Sequence, residues 1–523
     1  MDNNNEKVLS LIDKGKKGLM GLLFSRLGLI VLLLLIKICF WISLLVYFKD
    51  YSPYYFIVNA VLSVGISFFI INSNIDPTSK ITWLMLISAM PLFGSAFFCY
   101  TRSDLGFRAL KYQFGKIMRD TNNAITQQPD TIEALKEEST ATAQLAGYMR
   151  RSGHHPVYSN CDVRYFSLGE EKFRRILEEL ETAEHFIMLE YFIIDEGYMW
   201  GKILEVLARK AQQGVDVMVM YDGSNEFTTL PRDYSKRLQN LGIKCRVFAP
   251  ATPFVSTHYN YRDHRKILVI DNKTAFTGGV NLADEYINRY EKYGHWKDTA
   301  IMIKGDAVES FTLMFLQMWN IAGGKAEIQK YISHTADSYS HNGYVIPYGD
   351  SPLDSDKLGR RVYMDIINRA DRYVYIMTPY LILDSEMETA IKFAAERGVD
   401  VRIILPGIPD KKTPYALAKT HYSSLLDSGV KIYEYTPGFV HAKVFVSDDI
   451  KAVVGTINLD YRSLYHHFEC AAYLYKTDCI PEIVEDFEKT QQLCAPVTKE
   501  TVKKLSIRTK LTGRIMKVLA PLM

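Results

Sequence analysis

Cysteine is scarce and unpatterned in this sequence. Seven cysteines (Cys39, Cys99, Cys161, Cys245, Cys470, Cys479 and Cys494) are scattered over 523 residues without a CxxC pair. That spacing argues against both a disulfide framework and a zinc cluster, and leaves free thiols. Net charge is also low: a formal +3 at pH 7, with no stripe of basic and aromatic residues, gives nucleic acid little to hold. Charge of either sign is nearly missing from residues 27–100, where only Lys37, Lys49, Asp50, Asp76 and Lys80 carry it. The whole chain is an ordinary 48% apolar and 23% charged, so its charge is concentrated elsewhere.

The charge-poor region holds three apolar stretches, at 27–48, 54–71 and 81–100. Each is about as long as a helix needs to cross a ~30 Å hydrocarbon layer, and their tandem order argues against a cleaved signal peptide. A membrane anchor of two or three crossings is expected over 1–100. Basic residues flank both ends: Lys7, Lys14, Lys16, Lys17 and Arg26 before, and Arg102, Arg108, Lys111, Lys116 and Arg119 after. Positive flanks on one side require an even number of crossings, so three spans conflict with the charge rule. The sidedness stays open.

The rest of the chain repeats itself. Ala183–Asp195 recurs at 370–384, Gly214-Val-Asp-Val217 as Gly398-Val-Asp-Val401, and His264-Arg-Lys266 as His441-Ala-Lys443, always 177 to 187 residues apart. Two copies of one domain follow, expected at 156–340 and 341–495, after a polar connector at 101–155. Helical patterns at 173–180 and 200–213 alternate with β-branched runs at 186–194, 215–221 and 267–270. This alternation predicts an α/β sandwich with helices on both faces of a sheet. Residues 496–523 form a basic amphipathic tail; from 499 on, seven basic residues face one acid. The tail reads equally as a membrane-surface helix or a solvated one.

Each copy carries His-x-Lys-x4-Asp followed by Gly-x-x-Asn: His264, Lys266, Asp271, Asn281, and His441, Lys443, Asp448, Asn458. One such motif is weak; two at matching places in a duplication are strong. In a strand, His and Lys two apart share a face, while Asp has the opposite parity and anchors the strand end. Two histidines and two lysines suit a phosphodiester. The lysines offset charge, one imidazole attacks phosphorus, and the other handles the proton. Such histidines need a carboxylate on the second ring nitrogen, and Asp298 and Glu469 are the candidates. No metal or other cofactor is required. His258, His295, His466 and His467 read as structural, His154-His155 as no metal pair, and Glu190-Tyr191 as cleft lining or packing.

These motifs, with Phe276-Thr-Gly-Gly-Val-Asn281, Trp296-Lys-Asp-Thr299, Asn458-Leu-Asp-Tyr-Arg-Ser463 and Phe468-Glu469, resemble the phospholipase D superfamily and, within it, bacterial cardiolipin synthases. The resemblance implies two tandem phospholipase D-like domains about a pseudo-two-fold axis, behind transmembrane helices in the bacterial plasma membrane. It implies a phosphatidyltransferase that joins two phosphatidylglycerols into cardiolipin and glycerol through a phosphohistidine. Its partners would be phosphatidylglycerol, other membrane phospholipids and the bilayer, with no nucleic acid. The oligomeric state is not set. By analogy His264 is the nucleophile and His441 the acid/base, with the reverse assignment open. Thr456 and His467 replace the Ser and Asn usual in the family, and this bears on the acceptor. The alternatives are a hydrolytic phospholipase D, a nuclease of the superfamily, and a catalytically dead scaffold.

Overall fold

The computed structural model describes residues 35, 38, 39, 43, 52–103, 105–250, 261–332, 338–339, 342–354 and 356–522. The chain divides into an N-terminal unit reaching Asp104 and a larger unit from Leu105.

In the N-terminal unit, the apolar stretch at 27–48 lies almost wholly outside the described residues. The second stretch is helix α1 (Ser52–Ile71), long and apolar enough to cross a membrane. Its Tyr54, Val61 and Phe68 are exposed, as lipid-facing side chains would be. The third stretch is a correction. It breaks into α2 (Pro77–Ala89) and α3 (Pro91–Ser103), each about 20 Å long and too short to span. Asp76 caps α2 through the Ser79 N–H (2.9 Å), and Pro91, which cannot donate to the preceding turn, ends it. Gly94 lets α3 approach α2, since a Cβ there would sit 3.0 Å from the Ile87 backbone. Ile70 of α1 joins Trp83, Ile87 and Phe98 in the small core of this unit.

The larger unit begins with α4 (Leu105–Asp120), α5 (Pro129–Glu138) and α6 (Thr140–Gly153). This segment is packed structure and not a polar tether: Leu135, Leu145, Ala146 and Met149 are buried in the core of the second repeat.

The first repeat contains β1 (Cys161–Phe166), α7 (Gly169–Glu181), β2 (Phe186–Tyr191), α8 (Tyr198–Gln212), β3 (Asp216–Asp222), β4 (Lys244–Phe248) and β5 (Arg262–Asp263). It continues with β6 (Lys266–Ile270), β7 (Thr274–Gly278), β8 (His295–Lys297), β9 (Ala300–Gly305) and α9 (Val308–Ile321). The second repeat supplies β10 (Tyr344–Asp350), α10 (Leu358–Asn368), β11 (Tyr373–Met377), α11 (Ser385–Glu396), β12 (Asp400–Pro406), α12 (Lys412–Asp427) and β13 (Lys431–Tyr435). After these come β14 (Gly438–Val440), β15 (Val444–Ser447), β16 (Lys451–Gly455), β17 (His467–Tyr475), α13 (Ile480–Gln492), β18 (Cys494–Pro496) and α14 (Ile507–Leu519).

The two large sheets run β1-β9-β7-β6-β2-β3-β4 and β10-β17-β16-β15-β11-β12-β13, strand for equivalent strand, with β18 added at the second edge. Both sheets are buried on both faces, as the apolar strands require. In β2, Ile187 and Leu189 pack under α7 and α8, while Phe186 and Met188 point into a layer shared with the second sheet. Helix α9 fills that layer with Phe311 and Phe315, α13 adds Ile483 and Phe487, and both helices touch side chains of both sheets' core. The far face of the second sheet is covered by α10 and α11 through Val362, Ile366, Met387 and Ile391.

Two short pairings tie the repeats together. Strand β5 of the first pairs with β17 of the second (Arg262 with His467, Asp263 with Phe468), and β8 pairs with β14 (Trp296 with Phe439).

Candidate active site

The strand that each His-x-Lys leads into, β6 or β15, ends in a tight turn opened by the motif aspartate. Asp271 and Asn272 (φ 51° and 55°), like Asp448 and Asp449 (57° and 63°), are left-handed. That is the conformation a tight hairpin needs and that Asp and Asn tolerate. The Asp271 carboxylate then accepts the N–H groups of Glu184, His185 and Phe186 at 2.6–2.8 Å. Asp448 accepts those of Asp371, Arg372 and Tyr373 at 2.8–3.0 Å. Both aspartates thus hold the start of the neighbouring strand and fix its register against the strand that follows the histidine.

The short inter-repeat pairings decide what each histidine meets. The His264 N–H donates to Phe468 O (2.9 Å), and the His441 N–H to Lys297 O (2.7 Å). The next residue in each case is a carboxylate. His264 Nδ1 lies 2.9 and 3.0 Å from the two Glu469 oxygens, and His441 Nδ1 lies 2.6 Å from Asp298 Oδ2. Each imidazole is therefore oriented by the other repeat. Because a carboxylate only accepts, Nδ1 carries the proton and the Nε2 lone pair is available. Lys266 Nζ donates to His264 O (2.5 Å), and Lys443 Nζ to His441 O.

The two carboxylates are fitted differently. A Cβ on Gly279 would sit 2.0 Å from Asp298 Oδ1, so this glycine makes room for Asp298, which also accepts the Thr299 N–H (2.8 Å). The equivalent position in the second repeat is Thr456, whose hydroxyl donates to Glu469. The longer acid thus meets a hydroxyl where the shorter one meets empty space.

Burial governs the titration. Desolvation, then Lys266 and Lys443, hold His264 well below the usual imidazole range. Burial and Lys443 bring His441 down to about 4, with Asp298 resisting. Desolvation also lowers Lys266 to about 8 and Lys443 to about 7, against the pull of Glu469 and Asp298. Burial alone would raise Asp298, but His441 and Lys443 outweigh it and its carboxyl stays ionised below the usual range. The site offers neutral imidazoles beside two desolvated amines whose charge an anion would restore.

The other sequence candidates divide. Asn281 is engaged by the scaffold: Oδ1 accepts the Ile193 N–H (3.0 Å) and Nδ2 donates to the Tyr286 hydroxyl (2.7 Å). Asn458 Oδ1 is buried without a hydrogen-bond partner. Glu190 is packing, bound to buried Arg265 at 2.5 Å. His295 is structural, held by the Tyr435 hydroxyl (3.0 Å), and His258 lies outside the described residues.

His467, read from sequence as structural, lies beside a motif histidine. Its ring centroid is 5.4 Å from that of His264, and burial lowers it to about 3, so it is a third neutral imidazole. The signal was present: two residues before Glu469 in a strand, it shares that residue's face. His264, His467 and Glu469 each bring a ligand atom within 4.8 Å of one another, the spacing of a metal site. The His264–Glu469 hydrogen bond uses two of those atoms. Lys172 was also missed; buried on α7, it donates to Val280 O (3.3 Å), and desolvation lowers it to about 7.

Comparison with known proteins agrees with this geometry. The family model described as "Cardiolipin synthase, PLD-like domain" matches residues 176–319 and 363–491, one segment in each repeat. An uncharacterized protein of Streptococcus mutans serotype c is 57% identical over 460 residues, covering 88% of this chain and all of that one. A cardiolipin synthase of Geobacillus sp. strain WCH70 is 34% identical over 464 residues, covering 88% of this chain and 92% of its own. Cardiolipin synthase 2 of Bacillus cereus is 32% identical, covering 90% and 91%. Phosphatidylserine synthase of Haemophilus influenzae Rd KW20 shares the fold at a TM-score of 0.55 and 15% identity, over 73% of this chain and 98% of that one. With matched motifs in both repeats and relatives aligned over most of their length, the chain belongs to the cardiolipin synthase family of phosphatidyltransferases.

Proposed function

We propose that this enzyme condenses two phosphatidylglycerol molecules into cardiolipin and glycerol, with His264 as nucleophile and His441 as acid and base. The observation that carries the reading is the crossed pairing of each motif histidine with a carboxylate of the other repeat, beside two buried lysines. Asp298 raises His441 against the effect of burial, the direction a proton donor needs.

In the first step His264 Nε2 attacks phosphorus, and His441 Nε2, which takes up a proton as the phosphodiester anion enters beside it, gives that proton to the departing glycerol oxygen. The P–O bond breaks as the P–N bond forms, leaving phosphatidyl-histidine and neutral His441. Next, His441 takes the proton of a primary hydroxyl on a second phosphatidylglycerol. Its oxygen attacks phosphorus and the P–N bond breaks. Lys266 and Lys443 offset the phosphoryl charge throughout. Two phospholipase D-like domains about a pseudo-two-fold axis form the site. Helix α1 crosses the bacterial plasma membrane and the α2–α3 hairpin does not, while the positive flanks ask for an even number of crossings over the whole anchor.

The test is turnover of labelled phosphatidylglycerol in mixed micelles by the wild type and the His264→Ala and His441→Ala variants. Cardiolipin and glycerol form in equal amounts with the wild type, and both variants lose about 10,000-fold or more. Acid-labile lipid label stays on the wild-type protein after a rapid alkaline quench and is missing from His264→Ala. Phosphatidic acid as the main product would mean that water is the acceptor and would overturn the synthase reading.

A further inference from the structure

Helix α14 shows two faces with different tasks. Its inner face is fixed to the catalytic unit. A Cβ on Gly513 would lie 2.3 Å from Ala416 O of α12, so the helices touch backbone to backbone there. Just beyond the helix, Ala520 is buried with Leu417 and Tyr461, and Tyr461 follows Asn458 by three residues. On the opposite face, Ile507, Leu511, Ile515 and Val518 are 84%, 58%, 53% and 38% exposed. Their spacing of four, four and three residues puts them in one stripe within about 80° of arc. Arg508 borders the stripe on one side, and Arg514, Lys510 and Lys517 border it on the other.

Single exposed apolar residues need no explanation, but four aligned on one rigid helix do. The cations choose the occupant. Seven basic residues against one acid over 499–523 repel a second copy of this chain and attract an anionic surface. A 13-residue helix with an apolar stripe and basic borders is the form that lies in the headgroup layer. We propose that the outward face of α14 docks on anionic phospholipid bilayer and holds the catalytic unit, through Gly513 and Ala520, at a fixed distance from the membrane. This goes beyond the reaction proposed above and does not depend on it.

The test places one reporter in the stripe of the full-length protein. A Leu511→Trp variant is reconstituted into phosphatidylserine–phosphatidylcholine vesicles with and without chain-brominated phosphatidylcholine, and the unsubstituted protein is measured in parallel. Subtraction gives the emission of the new indole. Docking predicts a blue-shifted signal, quenched about twofold or more by bromine near the headgroup end of the acyl chain and shielded from aqueous acrylamide. Arg508→Glu with Arg514→Glu, or pure phosphatidylcholine vesicles, should remove most of that quenching. An indole open to acrylamide and blind to brominated chains overturns the proposal. So does quenching indifferent to lipid charge, or a blue shift that follows protein density instead of lipid. None of these readings uses turnover, so a failure of the reaction assignment would leave the result intact.

Discussion

His264 and His441 have the same motif and the same kind of Nδ1 partner, yet the chemistry asks different things of them. A substrate whose leaving group needs no proton separates the roles. With a phosphatidyl p-nitrophenyl ester, His441→Ala and Asp298→Asn should recover most of the first-step burst of nitrophenolate, because a phenolate leaves unaided. His264→Ala and Glu469→Gln should stay about 100-fold or more down. A stopped-flow burst measures this, and the reverse pattern would exchange the two roles. The lysines set the alkaline limit. Burial brings Lys443 to about 7 and Lys266 to about 8, so raising the pH removes positive charge from the phosphate site. The KM for phosphatidylglycerol should therefore rise between pH 7 and 9, by about tenfold for each charge lost. A KM flat over that range would show that other groups meet the phosphate charge.

At the scale of elements, short strands and turns count more than long helices. The left-handed pairs Asp271-Asn272 and Asp448-Asp449 close the hairpins that carry the motifs, and their carboxylates hold the neighbouring strands. The Gly278-Gly279 turn works through space. Gly279→Ala drives a methyl into Asp298 and should cut kcat about as far as Asp298→Asn does. Its melting temperature should fall by a few degrees, corresponding to about 1–3 kcal/mol of overpacking. Equal kcat in Gly279→Ala and wild type would mean that the carboxylate position does not matter. In the N-terminal unit, one proline decides between a span and a hairpin. Pro91 cuts twenty apolar residues into two helices, a break that average hydropathy over a window does not register.

For the catalytic unit as a whole, the repeats are not independent halves. Helix α9, buried almost all round, lies in the layer that both sheets share, and β5–β17 and β8–β14 pair across the seam. Phe315→Ala should therefore cost about 3–5 kcal/mol and weaken amide protection in both sheets together. Hydrogen exchange read by mass spectrometry checks this, and loss confined to the first sheet would show two separable domains. The crossed carboxylates demand such coupling, since sliding one repeat along the seam would detach both histidines from their partners.

Much of this was legible beforehand, because some physical rules act over short distances in the chain. The duplication, the α/β alternation, the paired motifs and the acids Asp298 and Glu469 all follow from local period, spacing and residue chemistry. What the sequence left undecided lies across long separations. Which acid serves which histidine is set over 205 residues for His264–Glu469 and 143 for His441–Asp298, by strands crossing between repeats. His467 enters the site for the same reason, and Asn281 is drawn into the scaffold by Tyr286 and the Ile193 backbone. Periodicity and propensity fix the elements themselves, but only their packing determines which side chains from distant segments share one dry cleft.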